Sequence, residues 1–98
     1  MYARMVIGEA TSDEQVLEFA RIYASEVLPD LESEQGFVSA RLMVEEDGHM
    51  AISLTVWKTR DDCIRYHCSG AYRQFVTKTQ HLLVGDFVVK LFKEFSCG

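Results

Sequence analysis

The chain has 98 residues, with 10 Lys and Arg against 15 Asp and Glu, a net charge of −5 with histidines neutral. That length is one domain, residues 1–98, and a composition of 48% hydrophobic and 26% charged residues predicts a packed core rather than disorder. An acidic chain without a basic run lacks the electrostatic footprint for nucleic acid, and no apolar stretch approaches the ~20 residues that cross a bilayer.

The opening residues, MYARMVIGEA, read as a strand rather than a secretory leader. Tyr2–Ile7 is apolar and β-branched enough for that strand, with Gly8 closing it. Ser12 and Gln15 then form an S-x-x-Q capping box, and Val16, Phe19, Ala20, Tyr23, Ala24 and Val27 follow the spacing of one helical face. Pro29 is expected to end this helix and to keep Leu28 out of helical geometry. Phe37–Val44 and Met50–Trp57 flank Glu46-Asp47-Gly48-His49, which predicts an antiparallel hairpin with Asp-Gly supplying two positive φ angles. Thr59 is a candidate N-cap for a short helix to about His67, and Ser69 for another to about Leu83. Gly85 releases the chain into a last strand, Asp86–Phe95.

The order β-α-β-β-α-α-β predicts an α+β, ferredoxin-like domain, with a four-stranded antiparallel sheet and helices on one face. The last strand carries Phe87, Val89, Leu91 and Phe95 on one side and Val88 and Phe92 on the other, so the uncovered sheet face is also apolar. Burying it sheet to sheet against a second copy predicts a homodimer.

Along Met50–Trp57, one side is uniformly apolar while the other presents Ala51, Ser53, Thr55 and Trp57. Hydroxyls beside an aromatic suit a small-molecule pocket, though they also suit cross-strand hydrogen bonds around a core tryptophan. Trp57, the single tryptophan, ends its strand just before a helix, where an indole can stack on a flat ligand. His67 closes the next helix and can move protons near neutrality, or simply favour the helix dipole. Tyr23 and Tyr72 lie on apolar helix faces, and their hydroxyls need a partner in the core or on a ligand. Cys63 and His67 share a helix face, but no second motif completes a metal site. Three cysteines without a CxxC pair support neither a disulfide framework nor zinc, which points to a reduced, cytoplasmic, metal-free protein; Cys97 is expected to be an exposed free thiol.

Three segments together resemble the antibiotic-biosynthesis-monooxygenase family of dimeric α+β barrels. They are Glu34-Gln35-Gly36-Phe37 leading into a strand, Leu54-Thr55-Val56-Trp57-Lys58-Thr59 closing one, and Asp61-Asp62-Cys63-Ile64-Arg65-Tyr66-His67 followed by Ser69 and Tyr72. The resemblance implies a dimer with a pocket between each sheet and its helices. It further implies oxidation of an aromatic or quinol-like substrate by O₂ without a cofactor, with Trp57 stacking on the substrate, His67 as base, and Tyr72 with Arg41 orienting it or stabilising an oxyanion. Proton-transfer isomerases and non-catalytic ligand-binding or stress-related dimers of the same architecture remain open alternatives. Haem-degrading relatives use an Asn on strand one and a His on the last helix, but here Tyr2–Glu9 has no Asn and Val76 stands near the place of that His.

Overall fold

The computed structural model describes residues 1–95; the thiol expected at Cys97 lies outside the described residues. Strands β1 (Tyr2–Glu9), β2 (Phe37–Val44), β3 (Met50–Trp57) and β4 (Val88–Lys93) form one antiparallel sheet in the order β2-β3-β1-β4. Helices α1 (Asp13–Ile22), α2 (Leu28–Glu32), α3 (Arg60–His67) and α4 (Gly70–Thr79) cover one face of it. This is the α+β, ferredoxin-like arrangement that the element order predicts, with the second face open.

Local chemistry starts each long helix. The hydroxyls of Ser12, Thr59 and Ser69 accept hydrogen bonds from the backbone N–H groups of Gln15, Asp62 and Tyr72, at 3.2, 3.1 and 3.2 Å. Pro29 does not end the first helix. The chain widens into a π-helical turn over Tyr23–Val27, Leu28 keeps helical angles, and α2 runs on to Glu32 with Pro29 in its first turn. A widened turn accommodates the missing N–H and the ring that would otherwise strike the preceding turn. It also carries the buried face onward from Val16, Phe19 and Ile22 to Tyr23, Val27 and Leu31, leaving Ala24 exposed.

Other boundaries move for equally local reasons. Gly8 lies inside β1, opposite Ala51, because the Phe87 ring lies where a side chain at this position would be. The hairpin between β2 and β3 uses five residues rather than a two-residue turn. Asp47 has φ +58° while Gly48 is not left-handed, and the backbone carbonyl of His49 accepts from the N–H of Ala10 at 2.8 Å, beyond the end of β1. Residues 80–82 tighten into a 3₁₀ turn after α4, and β4 is shorter than expected, leaving Phe95 beyond its end.

A bulge between Phe37 and Ser39 turns Phe37 toward the helices, edge-on to Trp57 with ring centroids 5.7 Å apart, although its alternation with Ser39 and Arg41 predicts the other face. Register fixes the remaining sides. Arg4 pairs with Thr55 and Leu91, and Val6 with Ser53 and Val89, on the helix side. Row by row across the open side run Arg41-Leu54-Met5-Lys90 and Met43-Ile52-Ile7-Val88.

Candidate active site

The helix-facing ends of β1 and β3 meet the C-terminal end of α3 and the start of α4, and aromatic side chains fill the junction. Trp57 is completely buried, its ring stacked on Tyr66 at 5.4 Å and 26°. Its indole N–H donates to the Thr55 hydroxyl at 3.0 Å, which in turn donates to the Arg4 carbonyl at 3.4 Å. Tyr66 continues to Tyr72 at 5.9 Å, Tyr72 to Phe75 at 6.1 Å, and Phe75 to Tyr23 at 6.2 Å. The Tyr23 hydroxyl and the Ser53 hydroxyl share a hydrogen bond of 2.7 Å. Burial raises the Tyr23 phenol above its ordinary pKa, against the opposing influences of Ser53 and Arg4, and burial pushes Tyr66 up further.

Arg4 sits at the centre of this cluster, only 2% exposed. Its guanidinium lies 4.1 Å from the Tyr72 ring centre and 5.5 Å from that of Tyr66. Its Nε and Nη2 reach one atom, Nδ1 of His67, at 3.2 and 3.1 Å. Among the described residues no carboxylate forms an ion pair with it. A guanidinium has donors only, so Nδ1 must be the acceptor and the neutral imidazole carries its proton on Nε2. Burial first, and then the charge of Arg4, lower the His67 pKa, so the ring is held neutral at pH 7. His67 is half-buried and stacks on Tyr72 at 5.3 Å.

The fold therefore brings together Trp57, His67 and Tyr72 through Arg4 and Tyr66, and joins Ser53 and Tyr23 to the same cluster through Phe75. Arg41 is on the other side of the sheet: it is exposed, opposite Leu54, and no rotamer of the same chain carries it through the sheet to Tyr72. Sequence reasoning missed Arg4 and Tyr66. A lone charge in the apolar run Tyr2–Ile7, in alternation with Val6, was the available signal for Arg4. Cys63 is buried and its thiol pKa is raised by that burial. Among the described residues no three His, Cys, Asp or Glu side chains are grouped to hold a metal ion.

The glycine turn beside the cluster has a specific reason. Gly36 takes φ +80°, its carbonyl accepts from the Lys58 N–H at 2.8 Å, and the Asp62 carboxylate occupies the space a Cβ would need. Asp62 is itself held by Arg65 and Thr59, at 2.9 and 2.8 Å, which lowers its pKa.

The family model for antibiotic biosynthesis monooxygenases matches residues 5–78, three-quarters of the chain. The chain belongs to the antibiotic biosynthesis monooxygenase family. The matched span takes in every residue of the cluster except Arg4, which immediately precedes it. Among solved structures, the chain is similar to a monooxygenase from the ActVA-Orf6 gene of Streptomyces coelicolor, in complex with nanaomycin D, with a TM-score of 0.87 and 12% identity over 98% of this chain and 88% of that one. It is similar to SnoaB, a cofactor-independent oxygenase from Streptomyces nogalater, with a TM-score of 0.80 and 18% identity over 98% and 94% of the two chains. Rv0793 from Mycobacterium tuberculosis matches with a TM-score of 0.77 and 14% identity over 98% and 97%. At these identities the likeness is one of fold. No curated protein sequence matches the chain.

Proposed function

We propose that this family member is a monooxygenase that oxidises a small aromatic or quinol-like molecule with O₂ and without a cofactor. The observation that carries the reading is the aromatic cluster around Trp57, Tyr66 and Tyr72 with a neutral imidazole, His67, at its half-open end. Family membership and the fold shared with SnoaB and the ActVA-Orf6 enzyme support it. For an anthrone-like substrate, removal of a methylene proton leaves an electron-rich carbanion that reacts with O₂ itself. One oxygen atom becomes the new carbonyl, and the other leaves as water with the two methylene hydrogens. The protein has to bind the ring, accept the proton and steady the anion. His67 is the proton acceptor, the half-buried Tyr72 stacks on and orients the ring, and Trp57 backs the aromatic wall from behind Tyr66. Ser53 and Tyr23 bound the far end of the substrate.

The working protein in this reading is a homodimer through the open sheet face. Leu54 and Met5 lie mid-row there with Arg41 and Lys90 at the flanks, an apolar centre with a charged rim. Arg41 then belongs to the dimer surface.

One observation favours a second reading, a ligand-binding dimer without turnover: the interior at Trp57 is filled, its ring face covered by Tyr66 and its N–H already bonded. Oxygen uptake separates the two. Purified protein with anthrones and naphthohydroquinones should consume O₂ above the uncatalysed rate, saturably, and His67→Ala should abolish the excess. Saturable binding of these compounds with no excess uptake would overturn the monooxygenase in favour of the binding protein.

A further inference from the structure

Among the described residues, Arg4 is a buried cation with aromatic faces and an imidazole around it and no counter-ion. Burying a charge without an opposite charge is expensive, and cation–π contact offsets part of that cost. The guanidinium edge formed by Nε and Nη2 is the one that receives the two oxygens of a carboxylate, or one oxyanion, in a forked contact. Here both donors are spent on the single lone pair of His67 Nδ1. A neutral nitrogen is a poor occupant of a site shaped for negative charge.

We infer that the Nε/Nη2 edge of Arg4 is an anion-binding site, with His67 as a displaceable occupant. The ligand is an aromatic anion that arrives already charged: a carboxylate or phenolate attached to a flat ring. It rests on the proposed monooxygenase reading only for the statement that this ligand is the substrate. The placement allows entry. Of the rings around the guanidinium Tyr66 is buried, but His67 and Tyr72 are half-buried, and Leu91, the β4 neighbour of Arg4 on the same face, remains 37% exposed. An anion arriving between them can stack against Tyr72 while its oxygen takes the two Arg4 donors. His67 then leaves the guanidinium with Nδ1 free to accept a proton. Before the ligand binds, that atom is masked and a proton there would face Arg4, so His67 becomes a competent base toward the ring's carbon acid only when a separate anionic group of the same ligand holds the Arg4 edge. The charged and titratable groups near His67 are Arg4 from β1, Tyr72 from α4, and Cys63, Tyr66 and Cys68 on or directly after its own helix.

The test uses 2-naphthoate, which cannot undergo the proposed oxidation, and its neutral isostere 2-naphthamide. Calorimetric titration of the wild-type protein should give naphthoate an affinity about tenfold or more above that of the amide, the effect of a charge-assisted contact. Arg4→Gln should erase that difference. His67→Ala, which vacates the edge, should bind naphthoate more tightly than wild type. The imidazole ¹⁵N resonances should show Nδ1 released from its hydrogen bond on saturation. Equal affinities for the two probes, unchanged naphthoate binding in Arg4→Gln, weaker binding in His67→Ala, or an unmoved Nδ1 resonance would each overturn the inference. Should Arg4→Gln fail to fold, the probe comparison, His67→Ala and the resonance still decide it. Failure of the monooxygenase reading would look different: naphthoate would bind as described, yet no hydroquinone would drive oxygen uptake.

Discussion

Trp57 and Tyr66 lie face to face, ring centroids 5.4 Å apart and planes 26° from parallel, one from the end of β3 and the other from the last turn of α3. The contact locks a helix to the sheet and also covers the indole face that an aromatic ligand would use.

Trp57 should accordingly behave as core. Trp57→Ala should cost about 3–5 kcal/mol in urea unfolding, and a loss below about 1 kcal/mol would contradict the packing. In the native protein, the single tryptophan should resist acrylamide quenching. Tyr66→Ala should raise its accessibility, and a quenching constant equal to that of wild type would show that Tyr66 does not shield it.

Tyr23 and Ser53 form a buried hydroxyl pair, which makes their energetics non-additive. Ser53→Ala leaves the Tyr23 hydroxyl without its partner and should cost about 1–3 kcal/mol. Tyr23→Phe together with Ser53→Ala removes both polar groups and should cost less than the sum of the two single changes. Strict additivity in a double-mutant cycle would mean the bond contributes nothing.

Protonation of His67 should weaken the fold, and the direction follows from its lowered pKa. The folded state prefers the neutral ring, so as pH falls the unfolded chain takes up the proton first. The stability contributed is complete above the ordinary imidazole value of 6.5 and is lost as pH drops below it through the folded value. Wild type should therefore lose stability more steeply than His67→Gln as pH falls below 6.5, by urea midpoints. Asp62, held down by Arg65 and Thr59, acts in a separate window below its ordinary 3.8. Parallel curves for the two proteins between pH 6.5 and the Asp62 window would remove His67 from the account.

The open sheet face should govern assembly. Leu54→Asp places a charge midway along the row that runs from Arg41 to Lys90. Sedimentation equilibrium should show a dimer for wild type and a monomer for the variant. A wild-type monomer at micromolar concentration would exclude this face as the dimer surface.

Gly36 makes the turn that leads into β2, and its substitution tests how that turn supports the site. Gly36→Ala should destabilise by more than the ~1 kcal/mol of a left-handed alanine, because the Asp62 carboxylate must also move. Stability equal to wild type would mean that the turn relaxes freely.

Periodicity and capping chemistry determined most of the fold without tertiary information. Ser12, Thr59 and Ser69 start their helices as read, since a cap is a contact between residues three apart. The alternation of β3 correctly separated Met50, Ile52, Leu54 and Val56 from the buried Ala51, Ser53, Thr55 and Trp57, because its two faces differ in composition. Pro29 misled because a widened turn five residues long relieves a clash that local rules treat as fixed.

The sequence by itself settled the element order, the sheet and the family resemblance, all of which depend on neighbours along the chain or on a repeating face. It also supplied Trp57, His67, Tyr72, Ser53 and Tyr23 as suitable residue types. Only the tertiary structure decided which of them meet. The pairing register sends Arg41 to the open face and Arg4 inward, and the crossing of β1 under the end of α3 brings Arg4 to His67 across 63 residues of sequence. Two arginines of identical chemistry are distinguished by strand parity and packing: alternation with Val6 hints at the side Arg4 takes, but only the pairing register and the helix packing decide which of the two the helices cover.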